Sequence, residues 1–405
     1  MRSVWRKSTI GEEFHVQLGK RLDAAVNRGE LKLCINNRGV RWGRIDITQA
    51  VWAPLTKADV SELRLKAGDV LVCEGGEIGR ASVWRAELSE AYFLNTLHRL
   101  RSRRGYNPDV LAAFLERWAT TGELLALVGK SSLAHLTKEN LLRVPLPVPS
   151  PEEQQRIATA LRSVDHLIAS LCRLIAKKRD IKQGLMQEIL TGRTRLPGFS
   201  DPWKELLVSD LLDFKNGLNK ASQFFGHGTP IINFMDVMRA PVITAERVKG
   251  LVSLSREEIV RFAARRGDMF FTRTSESVEE IGTAGVLVDD IPNAVFSGFI
   301  LRGRPIAPVN TTFLAYQFQL PSVRKQVIAT ASYTTRALTN GGSLGRVRVL
   351  VPSPDEQAAV VATLADTDAE LAALERRLES ARALKTGMMQ ELLTGRSRLL
   401  VEAAS

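Results

Sequence analysis

A passage of about fifty residues is written twice in this chain. "VPSPEEQQRIATALRSVDHLIASLCRLIAKKRDIKQGLMQEILTGRTRL" begins at Val148, and "VPSPDEQAAVVATLADTDAELAALERRLESARALKTGMMQELLTGRSRL" begins at Val351. The two align without a gap and are identical at roughly half their positions. A repeat of this length is read before any finer feature, because each copy is one structural unit and the chain between copies must build something of its own. It restricts the fold more than any other property of the 405 residues.

Each copy opens with the chemistry of a helix start. Ser150 and Ser353 can cap, Pro151 and Pro354 suit a first helical position that needs no amide hydrogen, and Glu153 and Glu356 can close capping boxes. Pro149 and Pro352 keep the preceding chain extended. Each copy closes at Thr-Gly-Arg, where Gly192 and Gly395 can take the left-handed conformation that ends a helix. Between these signals, apolar residues recur at alternating spacings of four and three: Ile157, Leu161, Val164, Ile168, Leu171, Ile175. The second copy answers with Val360, Leu364, Thr367, Leu371, Leu374, Leu378. This is a heptad seam, narrow enough for one partner helix. "LIAKKRDIK" makes the first helix basic and "ADTDAELAALERRLES" makes the second acidic, which favours packing them on each other, antiparallel given the long segment between. At ~1.5 Å per residue, ~38 residues give a rod of roughly 57 Å. Gly184 and Gly387 occupy matching places inside these helices, where glycine costs about 1 kcal/mol against alanine. The cost points to close approach by another backbone, either a partner helix or the chain's own domains.

Two blocks remain, 1–147 and 198–350, with helical segments 148–197 and 351–405 after them. They share a fainter frame. "LKAGDVLVCEGGEIGR" and "ARRGDMFFTRTSESVEEIGTAGVLV" each carry Gly-Asp into a β-rich run, so Asp69–Glu74 and Asp268–Arg273 read as strands followed by glycine-containing loops. Helices follow from Asn107 and Asn310, a favourable cap. The architecture expected is α/β (α+β): two mixed α/β domains separated by two long helices forming an antiparallel coiled coil, with pseudo-twofold symmetry. The loops diverge; "NNRGVRWGRIDITQAVWAPL" has no counterpart in "FKNGLNKASQFFGHGTPIINFMDV". Similar frames with different loops suit two halves that read different things.

A net charge of +12 and a pI near 9.8 favour a polyanionic partner, nucleic acid being the commonest. No apolar stretch is long enough to span a bilayer, and "MRSVWRKSTIGEEF" lacks the apolar segment of a secretory signal. Three scattered cysteines, Cys34, Cys73 and Cys172, offer neither a disulfide framework nor a zinc pattern and fit a reduced cytoplasm. "LVGKSSL" at Leu127–Leu133 resembles the end of a phosphate-binding loop, but Leu124 stands where that loop needs glycine. His15, His98, His135, His166 and His227 form no ligand spacing, and no nuclease, methyltransferase or ATPase signature is present. The expectation is a non-catalytic chain with no metal site and no cofactor of its own.

With these residues in view, the layout resembles the specificity (S) subunits of type I restriction–modification systems, over essentially the whole chain. The most specific elements are the Pro-x-Pro-Glu/Asp-Glu-Gln helix starts at Pro149–Gln154 and Pro352–Gln357, the ends "MQEILTGRTRLPGF" and "MMQELLTGRSRL", and the stretches "LKAGDVLVCEGGEIGR" and "KNGLNK". Gly267–Arg273 departs, with a longer insertion before Gly282. The resemblance implies that each α/β block is a target recognition domain for one half of a split double-stranded DNA sequence. It implies that the helices set the unread gap and dock two methyltransferase (M) subunits. Those subunits use S-adenosylmethionine, and separate restriction/motor (R) subunits use ATP and Mg. A stand-alone sequence-specific DNA-binding protein, or a specificity module of a methyltransferase without a nuclease, are the alternatives.

Arg and Asn have the side chains best shaped for bidentate contacts with guanine and adenine. The DNA-reading candidates are therefore Arg41, Trp42, Arg44 and Arg80 in the first block, and Lys215, Asn216, Asn219, Lys220, Arg273 and Thr274 in the second. Gly184, Gln187, Gly387 and Gln390 are the candidates for partner docking.

Overall fold

Both copies of the repeat are helices of 39 residues, Pro151–Ile189 and Pro354–Leu392. They belong to a computed structural model that describes residues 5–22, 28–128, 136–333 and 336–399. Gly192 (φ +70°) and Gly395 (φ +69°) lie just beyond the helix ends in the left-handed conformation expected of them. At the start, the Ser150 hydroxyl accepts from the Glu153 amide at 3.3 Å and the Ser353 hydroxyl from the Glu356 amide at 3.4 Å. The glutamates do not close the expected boxes. Glu153 instead accepts from the Trp5 indole N–H (2.9 Å), and Glu356 from Trp203 (3.1 Å) and twice from Arg195 (2.7 Å each). The glutamine that follows is as fully used. Gln154 Oε1 accepts from the amide of Asn107 (2.7 Å) while its Nε2 donates to the Pro149 carbonyl (2.9 Å). Gln357 does the same with Asn310 (2.8 Å) and Pro352 (2.9 Å). The repeated phrase is thus a helix start and a socket for the block that precedes it.

Packing groups the chain into two units, each holding one α/β block and half of each long helix: Met1–Leu174 with Leu374–Ser405, and Ile175–Ala373. In the first unit, Ile157 and Leu161 share a core with Met389 and Leu392, and Asp165 pairs with Lys385 (2.9 Å), so one helix descends as the other rises. In the second unit Lys178 pairs with Glu370 (2.7 Å), Lys182 with Asp368, and Arg195 with Glu356. The helix segments are therefore antiparallel within each unit, and the basic and acidic stretches meet as their charges suggest. The seam residues Ile157, Leu161, Val164, Leu171, Ile175, Val360, Leu364 and Leu371 are buried. Much of that burial is against the α/β blocks, which extend the seam into their cores.

The first block builds a four-stranded sheet in the order Phe14–Leu18, Leu97–Ser102, Val70–Cys73, Ala81–Val83, beside a three-stranded sheet of Val51–Leu55, Glu30–Ile35 and Tyr92–Phe93. The second block repeats the scheme. Leu212–Asn216, Ile300–Pro305, Met269–Thr272 and Ala284–Leu287 are extended by Val242–Ile243, next to Gly250–Val252, Phe225–Ile232 and Val295–Phe296. The Gly-Asp signature has a physical reason in both. Asp69 accepts from the Lys66 amide (2.7 Å) and takes the forked guanidinium of Arg101 (2.7 Å twice). Asp268 does so with the Arg265 amide (2.8 Å) and Arg304 (2.7 Å twice). The helix after each asparagine cap runs Pro108–Thr121 in the first block and Thr311–Gln317 in the second. Of the "LVGKSSL" stretch, Leu127 and Val128 end the helix Glu123–Val128; the rest, with His135, lies outside the described residues.

Cys34 and Cys73 are buried and Cys172 is exposed, all three free. No helix among the described residues is long and apolar enough to cross a membrane.

Candidate nucleic-acid interface

In the first unit the predicted loop is an ordered hairpin. Val40–Arg41 pairs with Arg44–Ile45, and Trp42–Gly43 forms the two-residue turn, with Gly43 in the left-handed region (φ +71°) that favours glycine. Upstream, Asn36 Oδ1 accepts from the amides of Arg38 (2.9 Å) and Gly39 (3.2 Å), while its Nδ2 donates to the Gln49 carbonyl (2.9 Å). Arg38, Arg41 and Arg44 are all exposed. Arg41 and Arg44 are direct cross-strand partners, and neither has an ion pair with a described residue. Like charges set directly opposite each other destabilise a strand pair unless an anion joins them. The neighbouring Asp46 is committed elsewhere: the Thr48 hydroxyl and amide hold its carboxyl below the usual range, with smaller help from Arg44 and Arg41.

The other two candidates of this unit have structural partners. Trp42 packs with Ile78 against the core, and its indole N–H donates to Glu77 (2.5 Å). The Arg80 side chain is only 14% exposed; it pairs with Glu77 (3.2 Å) and donates to the Asn37 carbonyl (2.8 Å).

The second unit presents a different set. Lys215 Nζ donates to the Arg261 carbonyl (2.8 Å), and burial, then Arg302, Arg261 and Arg304, lower its pKa. Lys220 pairs with Glu258 (2.7 Å) and sits 4.7 Å from the Phe224 ring centre. Both lysines thus serve local structure, whereas Asn216, at the end of the strand Leu212–Asn216, and Asn219, just beyond it, stand exposed. Here the backbone runs close against residues 297–298: a methyl group on Gly217 would collide with the Ser297 carbonyl, and one on Gly298 with the Asn219 side chain. Arg273 is half-buried, its backbone bonded to Phe299 and Thr339, and Thr274 lies in a short strand opposite Leu338.

Sequence reasoning missed Arg38, whose turn is set by Asn36, and the exposed pair Arg265 and Arg266 at the Gly-Asp turn of the second unit. Their signal was present as "NNRG" and "ARRGD", the latter read only as a lead into a strand.

The docking candidates sit on open helix faces. A methyl group on Gly184 or on Gly387 would meet nothing within 4 Å. Among the described residues neither the other long helix nor an α/β block comes within that distance of these glycines, so the close approach expected of them is not made by this part of the chain. Gln187 is half-buried and Gln390 exposed.

A family model described as type I restriction modification DNA specificity domain matches residues 3–177. The type I restriction enzyme EcoKI specificity subunit of Escherichia coli is 22% identical over 380 residues, covering 89% of this chain and 80% of that one. The MjaVIII specificity subunit of Methanocaldococcus jannaschii is 21% identical over 283 residues, 66% of either chain. Among solved structures, the type I restriction–modification S subunit from M. genitalium superposes with a TM-score of 0.60 at 14% identity, over 97% of both chains. A chain solved in work on complex assembly and conformational transition of the type I R-M system gives 0.59 at 18% identity, over 96% of this chain and 97% of that one. At such identities the superpositions speak for the fold.

Proposed function

We propose that the chain is a specificity subunit of a type I restriction–modification system and that its two units read the two halves of a split DNA sequence. A specificity subunit recognises the DNA target and carries no catalytic residues of its own. The observation that carries the two-part reading is a common frame with unlike displays. One unit offers Arg41 and Arg44 on a hairpin with Arg38 just before it; the other offers Asn216 and Asn219 at a strand end, and exposes Arg265 and Arg266 at its Gly-Asp turn. Blocks 1–147 and 198–350 are the reading domains in this proposal, and segments 148–197 and 351–405 the spacer helices. Arginine suits guanine in the major groove and asparagine suits adenine, while the remaining lysines and arginines supply salt-dependent phosphate affinity.

The partners follow from the same reading. Two methyltransferase subunits, which use S-adenosylmethionine, dock on the open helix faces around Gly184, Gln187, Gly387 and Gln390. ATP- and Mg-dependent restriction subunits join through them, and the complex works in the cytoplasm.

Selection of bound duplexes from a random-sequence pool by the full chain tests the proposal. A sequence of two unlike parts separated by an unread gap is expected, and Arg44→Ala should relax one part only. Recovery of a single uninterrupted sequence, or of two identical parts, overturns it.

A further inference from the structure

The hairpin of the first unit is fastened at two places by the glycine loop Gly75–Gly79 and the arginine that follows it. Glu77 holds the turn through the Trp42 indole (2.5 Å) and, on its other oxygen, binds Arg80 (3.2 Å). Arg80 in turn reaches the Asn37 carbonyl (2.8 Å), just ahead of the exposed Arg38. Backbone bonds fix the loop itself: the Arg80 amide donates to the Glu77 carbonyl (3.1 Å) and the Cys73 amide to the Arg80 carbonyl (2.8 Å). A short chain of bonds, Trp42 to Glu77 to Arg80 to Asn37, therefore spans the whole segment that displays the arginines.

We infer that Glu77 and Arg80 are positioning residues, which hold Arg38, Arg41 and Arg44 as a preformed group for the DNA and do not themselves touch it. This rests on the proposed reading of DNA by the first unit and adds to it the device that sets its geometry. The physical need is clear. Arg41 and Arg44 repel each other across the hairpin, and without a fastening the free segment relaxes away from the reading geometry. Preorganisation removes that cost from binding.

Two variants give opposite signs for positioning and for mere surface charge. Glu77→Ala removes a negative charge beside the site, so a carboxylate with no positioning role would strengthen binding to every duplex when removed. Positioning predicts the reverse: preference for the selected first part falls by roughly tenfold, while the second part is read as before. Arg80→Lys keeps the charge but cannot fork to Glu77 and Asn37 together. It should lose the same preference while the slope of affinity against salt stays unchanged. If Arg80 bound a DNA phosphate instead, Arg80→Ala would lower that slope by about one. Should Glu77→Ala fail to fold, Trp42→Phe removes the indole donor, keeps the ring packing, and carries the same expectation. Uniformly tighter binding by Glu77→Ala, a salt slope reduced in Arg80→Ala, or unaltered preference in Trp42→Phe overturns the inference. Absence of any sequence preference in the unaltered chain instead defeats the proposed function on which it stands.

Discussion

Lys385 Nζ lies 2.9 Å from the carboxylate of Asp165, and Lys182, which the repeat aligns with Lys385, pairs with Asp368, which it aligns with Asp165. The two copies exchange the same lock in both directions. Each lock is completed by the helix behind an asparagine cap. Glu116 receives Lys385 at 2.7 Å on both oxygens, and Tyr316 donates to Asp368 at 2.7 Å. The Glu116 carboxyl is pushed up by burial, against the pull of Lys385.

Lys385→Met should be the more damaging of the two lysine changes. It leaves Glu116 and Asp165 facing each other with no cation, at a cost of about 2–4 kcal/mol, allowing for the partial exposure of Asp165. Lys182→Met leaves a single carboxylate that still accepts from Tyr316 and should cost less. Urea unfolding midpoints rank the two; equal losses would show that Glu116 adds nothing to the lock.

Gln154→Glu and Gln357→Glu should each destabilise the chain by about 1–3 kcal/mol. The carboxylate can still accept from Asn107 or Asn310 but can no longer donate to the buried carbonyl of Pro149 or Pro352. Limited proteolysis should show each lesion in its own unit, 154 in the first and 357 in the second.

Glu13 ties stability to pH. Burial raises its pKa, but the Ser8 hydroxyl (2.7 Å) and then Arg6 (2.7 Å) outweigh burial and hold the carboxyl below its ordinary value. A depressed folded-state pKa contributes stability above the unfolded value, and that stability is lost as the pH falls through the folded one. Glu13→Gln should therefore be less stable at neutral pH and show a flatter decline on acidification. Thermal melts across the acid range measure both.

Gly184→Ala and Gly387→Ala should stabilise the isolated chain by up to about 1 kcal/mol each, since both sites are open and helical. The same changes, and more strongly Gly→Leu, should weaken co-purification with the cognate methyltransferase. A gain in melting temperature with unaltered complex formation would remove these faces from the docking surface.

Much of this was legible in the residues. Caps, seam and closing glycines are local, so Ser150, Pro151 and Gly192 declared the helices without help. The roles of Glu153 and Gln154 were not legible, because their partners Trp5 and Asn107 are distant in sequence and a capping box uses the same spacing. At the candidate interface, residue type singled out Arg41 and Arg44, which the fold leaves exposed. It could not tell them from Arg80 or Lys220, whose cations are taken up by a carbonyl and a carboxylate. A free guanidinium and an engaged one are the same letter until the chain has folded.

Each unit sets a tryptophan beside a closing glycine: a methyl group on Gly192 would lie 3.3 Å from the Trp203 ring, and one on Gly395 would lie 3.5 Å from that of Trp5. Trp203 follows its glycine eleven residues later, whereas Trp5 is made nearly the whole chain earlier. The ribosome thus delivers one unit as an uninterrupted stretch, while the other must wait, its tryptophan and Glu153 without their late-arriving neighbours, until residues beyond 374 emerge. Nascent chains arrested before that point should bury Trp203 but leave Trp5 open to quenchers, so the half synthesised first is the half finished last.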